Sequence, residues 1–252
     1  MNRLLILFLL WVLPVSPTQA CTVVPGYRIP TNFELVEKAS LIVLARVVDG
    51  PDEPFGAEPI VTIEPVRVLK GKLSGDRLKL MGSVKWNGEP VVSMPTPLSL
   101  SHVSAGMGAC VRLMYPKGEL IVAMFQRTEP TDKHAFPASM TPLFEAFART
   151  AEDVEGEDGV WVKAVETYAA VQAGAGKGAR LRAAVEAKRT DLLARADDLP
   201  AQAMAADLAR YLDMTGSGKD RSADALRWTL VDTPDEAGAI VNSRTQKGRI
   251  LR

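Results

Sequence analysis

The stretch Leu41-Ile42-Val43-Leu44-Ala45-Arg46-Val47-Val48 decides the fold of this chain. It is rich in β-branched residues and almost wholly apolar, which is typical of a buried strand. Asp49-Gly50-Pro51 follows at once, and these turn-forming residues end the strand. On the other side, residues 34–39 predict a short helix that runs directly into it.

Four further short strands are predicted after this first strand. They cover residues 60–69, 77–81, 110–114 and 120–125. Pro65 lacks an N–H donor, so we expect an edge or a bulge at its position. Tyr115-Pro116-Lys117-Gly118 predicts a hairpin between the last two strands. Because no helix separates the strands, the sequence favours a small antiparallel barrel.

The composition changes in the middle of the chain. Residues 21–141 hold twelve prolines, whereas residues 142–230 hold 21 alanines and two prolines. Apolar residues recur at helical spacing in the second half and predict amphipathic helices. The fold class is therefore α+β: an OB-like barrel domain at 21–141, a helical domain at 142–231 and a polar tail at 232–252. The apolar helix positions are Trp161, Val165, Tyr168, Ala169, Leu181, Val185, Leu192, Met204, Leu208, Tyr211 and Leu212.

The first twenty residues predict a secretory signal peptide. Arg3 precedes the apolar run of residues 4–13, and the small residue Ala20 stands before the expected cleavage point. Cleavage between Ala20 and Cys21 predicts a secreted or periplasmic protein. The apolar run is too short for a retained transmembrane anchor.

Charge and cysteine content narrow the functional classes. The 30 basic and 30 acidic residues cancel, which excludes a nucleic-acid binder that relies on bulk positive charge. In an oxidising compartment Cys21 and Cys110 can form one intramolecular disulfide. The alternatives are two buried thiols, a lipid-modified Cys21, or a metal site that the lack of nearby ligands disfavours.

The segment Cys21-Thr22-Val23-Val24-Pro25 resembles the start of a tissue inhibitor of metalloproteases. The strand at 41–48, the element at 66–71 and the Cys110 strand fit the same netrin-like, OB-type barrel, in a version with fewer cysteines. In that family the amine and carbonyl of the first cysteine chelate the catalytic zinc of the target. The resemblance thus implies a partner-contacting role for Cys21 and Thr22, although Val23 stands where the family has its second cysteine.

Several other residues are of types found in catalytic or ligand-binding sites, but their sequence context favours a structural role. His102 and His134 lie in polar surroundings and are expected at the surface, and Ser99, Ser101 and Ser104 lack the context of an exposed nucleophile. The acidic residues between 152 and 158 are expected to form a solvated connector. The glycine-rich segment at 174–178 and the segment Gly218-Lys219-Asp220 fail the phosphate-loop pattern, and both are expected to link helices.

Trp86 is the remaining candidate contact, because Lys85-Trp86-Asn87-Gly88 predicts a hairpin tip next to a long loop at 89–102. The sequence therefore favours an exported, non-enzymatic binding or structural protein without a cofactor, whose partner is an unidentified protein or glycan. The alternatives are a metalloprotease inhibitor acting through Cys21 and an enzyme with an unrecognised site.

Overall fold

Helix α1 (Asn32–Lys38) leads directly into strand β1 (Leu41–Asp49), as the sequence predicts. Thr31 and Glu34 form a reciprocal capping box at the start of α1, which satisfies two backbone N–H groups that the helix itself leaves unpaired. The computed structural model describes residues 26–54, 59–106, 109–127 and 140–216. The predicted signal peptide, Cys21, Thr22, His134 and the tail at 232–252 lie outside these residues.

The remaining elements follow in chain order. The strands are β2 (Ile60–Lys70), β3 (Leu78–Met81), β4 (Lys85–Trp86), β5 (Glu89–Pro90), β6 (Leu120–Gln126), β7 (Thr141–Pro142) and β8 (Ala151–Asp153). The helices are α2 (Val160–Ala175), α3 (Ala179–Leu193) and α4 (Leu199–Gly216). A short 3-10 helix spans Val103–Gly106.

The main sheet is antiparallel and forms a nearly closed barrel. Its strand order is β3-β2-β1-β6, and the far edge of β6 pairs with both β7 and β8. A crevice with room for about one water molecule lies between β3 and the β7 region. The α+β prediction is confirmed at this level, and the sheet runs past the compositional change at residue 142 as far as Asp153.

Strand β1 is almost continuously apolar because both of its faces are buried. Leu41, Val43 and Ala45 contribute to a core inside the barrel, while Ile42 and Leu44 contribute to a second core shared with the helices. Strand β6 alternates between the same two cores. This double burial is the physical reason why the 41–48 stretch dominates the sequence pattern.

Pro65 lies next to an irregularity of the β1–β2 ladder, in agreement with the edge or bulge that the sequence predicts. It pairs with Ala45, and the register between β1 and β2 shifts next to this pair. Strand β3 pairs with β2 only from Ile60 to Ile63, so among the described strands none covers the outer side of β2 at Pro65. The missing N–H of the proline therefore costs no ladder hydrogen bond on that side.

The prediction of a strand at residues 110–114 is wrong. Cys110 has a φ of 60°, which a strand cannot accommodate, and in this segment only Met114 forms an isolated bridge, to Ser83. The side chain of Arg112 turns into the protein instead of facing solvent. The turn at Gly118 is present, but without the preceding strand it does not close the predicted hairpin.

The helices bury the apolar positions that the sequence predicts to face the core. Ten of the predicted helix positions are buried and Ala169 is half-buried, so the helices pack onto the sheet through the expected faces. Gly176 and Gly178 both have positive φ and separate α2 from α3, which confirms a helix linker there. Within the described residues no helix is both long and apolar enough to cross a lipid bilayer.

Candidate binding loop

The long loop predicted after Trp86 is the candidate site. We define the binding loop as residues 91–106, between β5 and the segment that leads to Cys110. From Val91 to Pro97 it runs without turn, bend or strand, and it ends in the 3-10 helix Val103–Gly106. Because residues 91–97 belong to no helix or strand, a regular ladder does not satisfy their backbone groups, and side chains and solvent take much of that role.

Trp86 lies beside the start of this loop, on the predicted hairpin. Strands β4 and β5 pair, and Asn87 and Gly88 form their tip with φ values of 52° and 81°. Two successive positive φ values are the signature of a type I′ turn, for which Asn-Gly is the favoured sequence. The Trp86 side chain is half-buried at the base of the tip.

Arg149 donates hydrogen bonds to three residues of the loop. Its guanidinium donates hydrogen bonds to the Thr96 hydroxyl at 2.6 Å and the Pro97 carbonyl at 2.8 Å, and also to the Leu100 carbonyl. The same group lies 5.1 Å from the centre of the Trp161 ring on α2. The side chain is 3% exposed, so a buried charge fixes three points of the loop.

Two carboxylates of β8 hold the loop through its donors. Asp153 accepts the Met94 N–H at 2.7 Å. Glu152 accepts the Thr96 hydroxyl at 3.0 Å and the His102 N–H at 2.8 Å. Because both carboxylates are buried and charge-assisted hydrogen bonds are the stronger kind, these contacts are expected to restrain the loop firmly.

Arg112 balances the charge of Asp153. Its Nη2 lies 2.5 Å from Asp153 Oδ1, its Nε donates to the Met114 carbonyl, and the guanidinium lies 4.7 Å from the centre of the Tyr115 ring. We call the buried side chains His102, Arg112, Arg149, Glu152 and Asp153 the anchor cluster. Each of these five residues is at most 5% exposed.

His102 corrects a sequence-based expectation, because it is buried and not at the surface. Its Nδ1 accepts the Ser104 N–H at 3.2 Å and lies 2.8 Å from the Ser104 hydroxyl. Its Nε2 lies 3.8 Å from Asp153 Oδ2, too far for a hydrogen bond, and has no hydrogen-bond partner. The ring therefore closes a local turn inside the loop.

Burial governs ionisation in the anchor cluster. Desolvation, together with the charges of Arg112 and Arg149, lowers the pKa of His102 to about 3. Desolvation also raises the pKa of Glu152, although the two arginines oppose that rise. At neutral pH the histidine is uncharged, which suits a buried position that feels the positive charges of both arginines.

The depressed pKa of His102 predicts acid sensitivity of the fold. A histidine in the unfolded chain titrates near 6.5, so between about pH 6.5 and 3 only the unfolded state takes up the proton. Stability is therefore lost as the pH falls through this window, by at most about 1.4 kcal/mol per pH unit. Urea unfolding of the wild type and of His102→Asn between pH 4 and 8 measures this loss.

The asparagine variant keeps an oxygen acceptor for the Ser104 N–H but does not titrate. We expect the difference in unfolding free energy between the two proteins to be constant above pH 7 and to change below pH 6.5. Parallel stability curves over the whole range would show that His102 has an ordinary pKa.

A catalytic triad contains a nucleophile, a base and an acid, and the structure brings three residues of these types together: Ser104, His102 and Asp153. The Ser104 hydroxyl reaches the histidine ring, but Nε2 and the carboxylate do not form the second hydrogen bond of such a relay. Both Ser104 and His102 are at most 3% exposed, so a substrate carbonyl cannot reach the hydroxyl in this conformation. The arrangement fastens the loop and does not present a nucleophile.

A second polar contact joins the loop to the helices. Asn32 Nδ2 donates to the Leu98 carbonyl at 2.7 Å and to Asp207 at 3.0 Å. Asp207 also accepts the Tyr168 hydroxyl at 2.7 Å. All three side chains are buried, so α1, α2 and α4 and the middle of the loop form one rigid connection.

Four large apolar side chains of this fastened loop are exposed. Val92 is 66% exposed, Val103 43%, Met94 40% and Leu100 36%. Large exposed apolar side chains are stronger evidence of a contact surface when their backbone is fixed, because a fixed backbone prevents them from turning inward and becoming buried. Four such side chains within one fastened loop make it the candidate contact surface of the described residues.

The acidic segment at 152–158 is only partly the solvated connector that was predicted. Glu155, Glu157 and Asp158 are exposed, whereas Glu152 and Asp153 are buried in β8. The difference arises because Arg112 and Arg149, both outside this segment, neutralise the two buried carboxylates. The positions of these arginines in apolar stretches (Val111-Arg112-Leu113 and Phe147-Ala148-Arg149) are the available sequence signal.

The structure leaves the cysteine predictions open. Cys110 is half-buried, and its carbonyl accepts the Phe147 N–H at 2.6 Å. Cys21 and Thr22 lie outside the described residues, so the disulfide and the zinc-chelating role remain predictions. Among the described residues no group of three or more histidine, cysteine or acidic side chains is arranged to hold a metal ion.

Comparison with known proteins adds no identification. No family model, no curated protein and no solved structure matches this chain.

Proposed function

We propose that this chain is an exported, non-enzymatic binding protein that presents the binding loop to a protein partner. Its barrel is a netrin-like OB barrel in this proposal, and the helices brace the loop from behind. One observation carries the proposal: four exposed apolar side chains stand on a loop whose backbone is held by buried charges.

Rigid display has a direct thermodynamic consequence. Ordering a flexible interface costs about 0.5–1.5 kcal/mol for each immobilised side chain, and a loop that is already ordered avoids part of that cost. The anchor cluster would thus serve affinity even though none of its members reaches the surface. The aliphatic character of Val92, Met94, Leu100 and Val103 favours a protein surface over a glycan.

The predicted Cys21–Cys110 disulfide fits the same proposal. It would attach the mature N-terminus to the segment between the binding loop and Arg112, and so restrain the loop at its second end. The signal peptide and an oxidising compartment are required for this bond to form.

The test uses the mature protein immobilised and exposed to the exported proteins of the organism that carries the gene. Partners are identified by mass spectrometry and then purified for titration. Replacement of Val92, Met94, Leu100 and Val103 by Ser is expected to weaken binding at least a hundredfold, because truncating a few central apolar contacts removes most of the energy of an interface.

The matched control is Val66→Ser combined with Val68→Ser on β2, where the two valines are 45% and 40% exposed. This pair is expected to leave the affinity unchanged. A partner that loses affinity equally for both variants, or that requires neither surface, would contradict a role for the binding loop.

A further inference from the structure

Two prolines restrict the backbone conformation of the binding loop between Met94 and Pro97. Pro95 and Pro97 have their φ fixed near −65° by the pyrrolidine ring. Met94 and Thr96 each precede a proline, which disfavours helical backbone and leaves extended conformations. These restrictions, together with the absence of a turn or bend between Val91 and Pro97, favour the polyproline II conformation for residues 94–97.

Three of the four positions from Met94 to Pro97 offer no free backbone N–H. Pro95 and Pro97 have no N–H, and the Met94 N–H is bonded to Asp153. The carbonyls of Thr96 and Pro97 accept hydrogen bonds from Arg149. A partner strand added alongside a segment needs a row of free N–H and C=O groups, so this segment cannot be recognised by strand addition.

The orientation of the side chains allows a partner to recognise this segment through them. Thr96 turns inward, where its hydroxyl lies within hydrogen-bonding distance of both Arg149 and Glu152. Val92, Met94, Pro95 and Pro97 all point into solvent. One inward residue therefore fastens the segment, and its neighbours on both sides are displayed.

We propose that Met94–Pro97, with the exposed Val92 beside it, is a preformed polyproline II ligand that docks into a groove lined by aromatic side chains on the partner protein. The inference rests on the proposed function and specifies the partner chemistry. Flat aromatic rings pack against proline rings and the Met94 side chain, and the contact does not need backbone donors from the ligand. The low conformational freedom of the segment favours this mode, since little order is lost on binding.

The experiment places a photoreactive diazirine amino acid at position 94 of the full exported protein. A second protein carries the same label at position 66, on β2, as the matched control. After irradiation in the presence of the exported proteins, the adduct at position 94 is expected to map to a partner site that contains tryptophan, tyrosine or phenylalanine. An adduct confined to a strand edge, or no adduct beyond that of the control, overturns the inference.

Titration of the purified partner supplies the second measurement. Pro95→Ala combined with Pro97→Ala is expected to weaken binding about tenfold, because the segment gains conformational freedom when it is unbound. The melting temperature of this variant is measured alongside, and unchanged stability shows that the fold is intact. An unchanged affinity overturns the inference.

The outcomes separate the two proposals. If the partner requires Val92 and Val103 but is indifferent to Pro95 and Pro97, only the polyproline II inference fails. If no partner depends on any part of the loop, the proposed function fails with it.

Discussion

Replacing Arg149 by Met is expected to destabilise the folded protein by about 3–5 kcal/mol. The substitution keeps much of the side-chain volume but leaves the Glu152 carboxylate buried without its neighbouring charge, and removing one partner of a buried pair typically has a cost of this size. It also removes the donors to Pro97 and Leu100. Urea denaturation followed by tryptophan fluorescence measures the loss.

The control for this variant is Arg195→Met, the same chemical change just past the end of α3. Arg195 pairs with Asp191 across one helical turn, and its side chain is 49% exposed. Such exposed pairs contribute less than about 1 kcal/mol, so its unfolding free energy should differ little from the wild type. Similar losses for the two variants would contradict a special role for Arg149.

Asp153→Asn should destabilise the protein by a similar amount, also about 3–5 kcal/mol. The substitution keeps the shape of the side chain but leaves the guanidinium of Arg112, which is almost fully buried, without a counter-charge. It also weakens the acceptor for the Met94 N–H, so the start of the binding loop loses its fastening. Thermal and urea unfolding measure the effect.

Two companion variants make this result interpretable. Asp158→Asn is the same change at an exposed position five residues along and should be nearly neutral. The double variant Arg112→Met with Asp153→Asn removes both charges and should recover part of the loss, because no buried charge is then uncompensated. A double variant that loses as much as the sum of both single variants would show that the two residues act independently.

The fold could be predicted from the sequence wherever burial imposes a period. The 41–48 stretch identifies β1 because both faces of that strand are covered, and the spacing of Trp161, Val165 and Tyr168 identifies α2 because one helix face is covered. The Asn87-Gly88 hairpin tip is predicted from local backbone preference alone. Each of these signals lies within a few residues of the structure that it specifies.

The anchor cluster could not be predicted in this way, because it depends on contacts between residues far apart in the sequence. Arg112 was assigned to a strand and His102 to the surface, since a charged or polar residue is by default exposed. Their burial becomes favourable only when Asp153 and Glu152 are brought to the same place by the pairing of β8 with β6. The direct pairing of β8 with β6 thus determines the site, and it leaves no local pattern in the chain.

These contacts also explain how one loop can be exposed and fixed at once. The exposed side chains of Val92, Met94 and Val103 would favour collapse in a free loop, since burial of apolar surface lowers the free energy. Charged groups beneath the backbone oppose that collapse by holding the Met94 and His102 N–H groups. The stability of the anchor cluster and the presentation of the loop are therefore expected to change together in every variant.

Hydrogen exchange at the amides of Met94 and His102 tests most directly whether the anchor cluster holds the binding loop rigid. Both N–H groups belong to an exposed loop, yet both are bonded to carboxylates that are buried. We expect exchange at both sites to be slowed at least about a thousandfold relative to an unstructured peptide, with protection lost in Asp153→Asn at Met94. Exchange within about tenfold of the unstructured rate at both amides would contradict a loop held rigid by the anchor cluster.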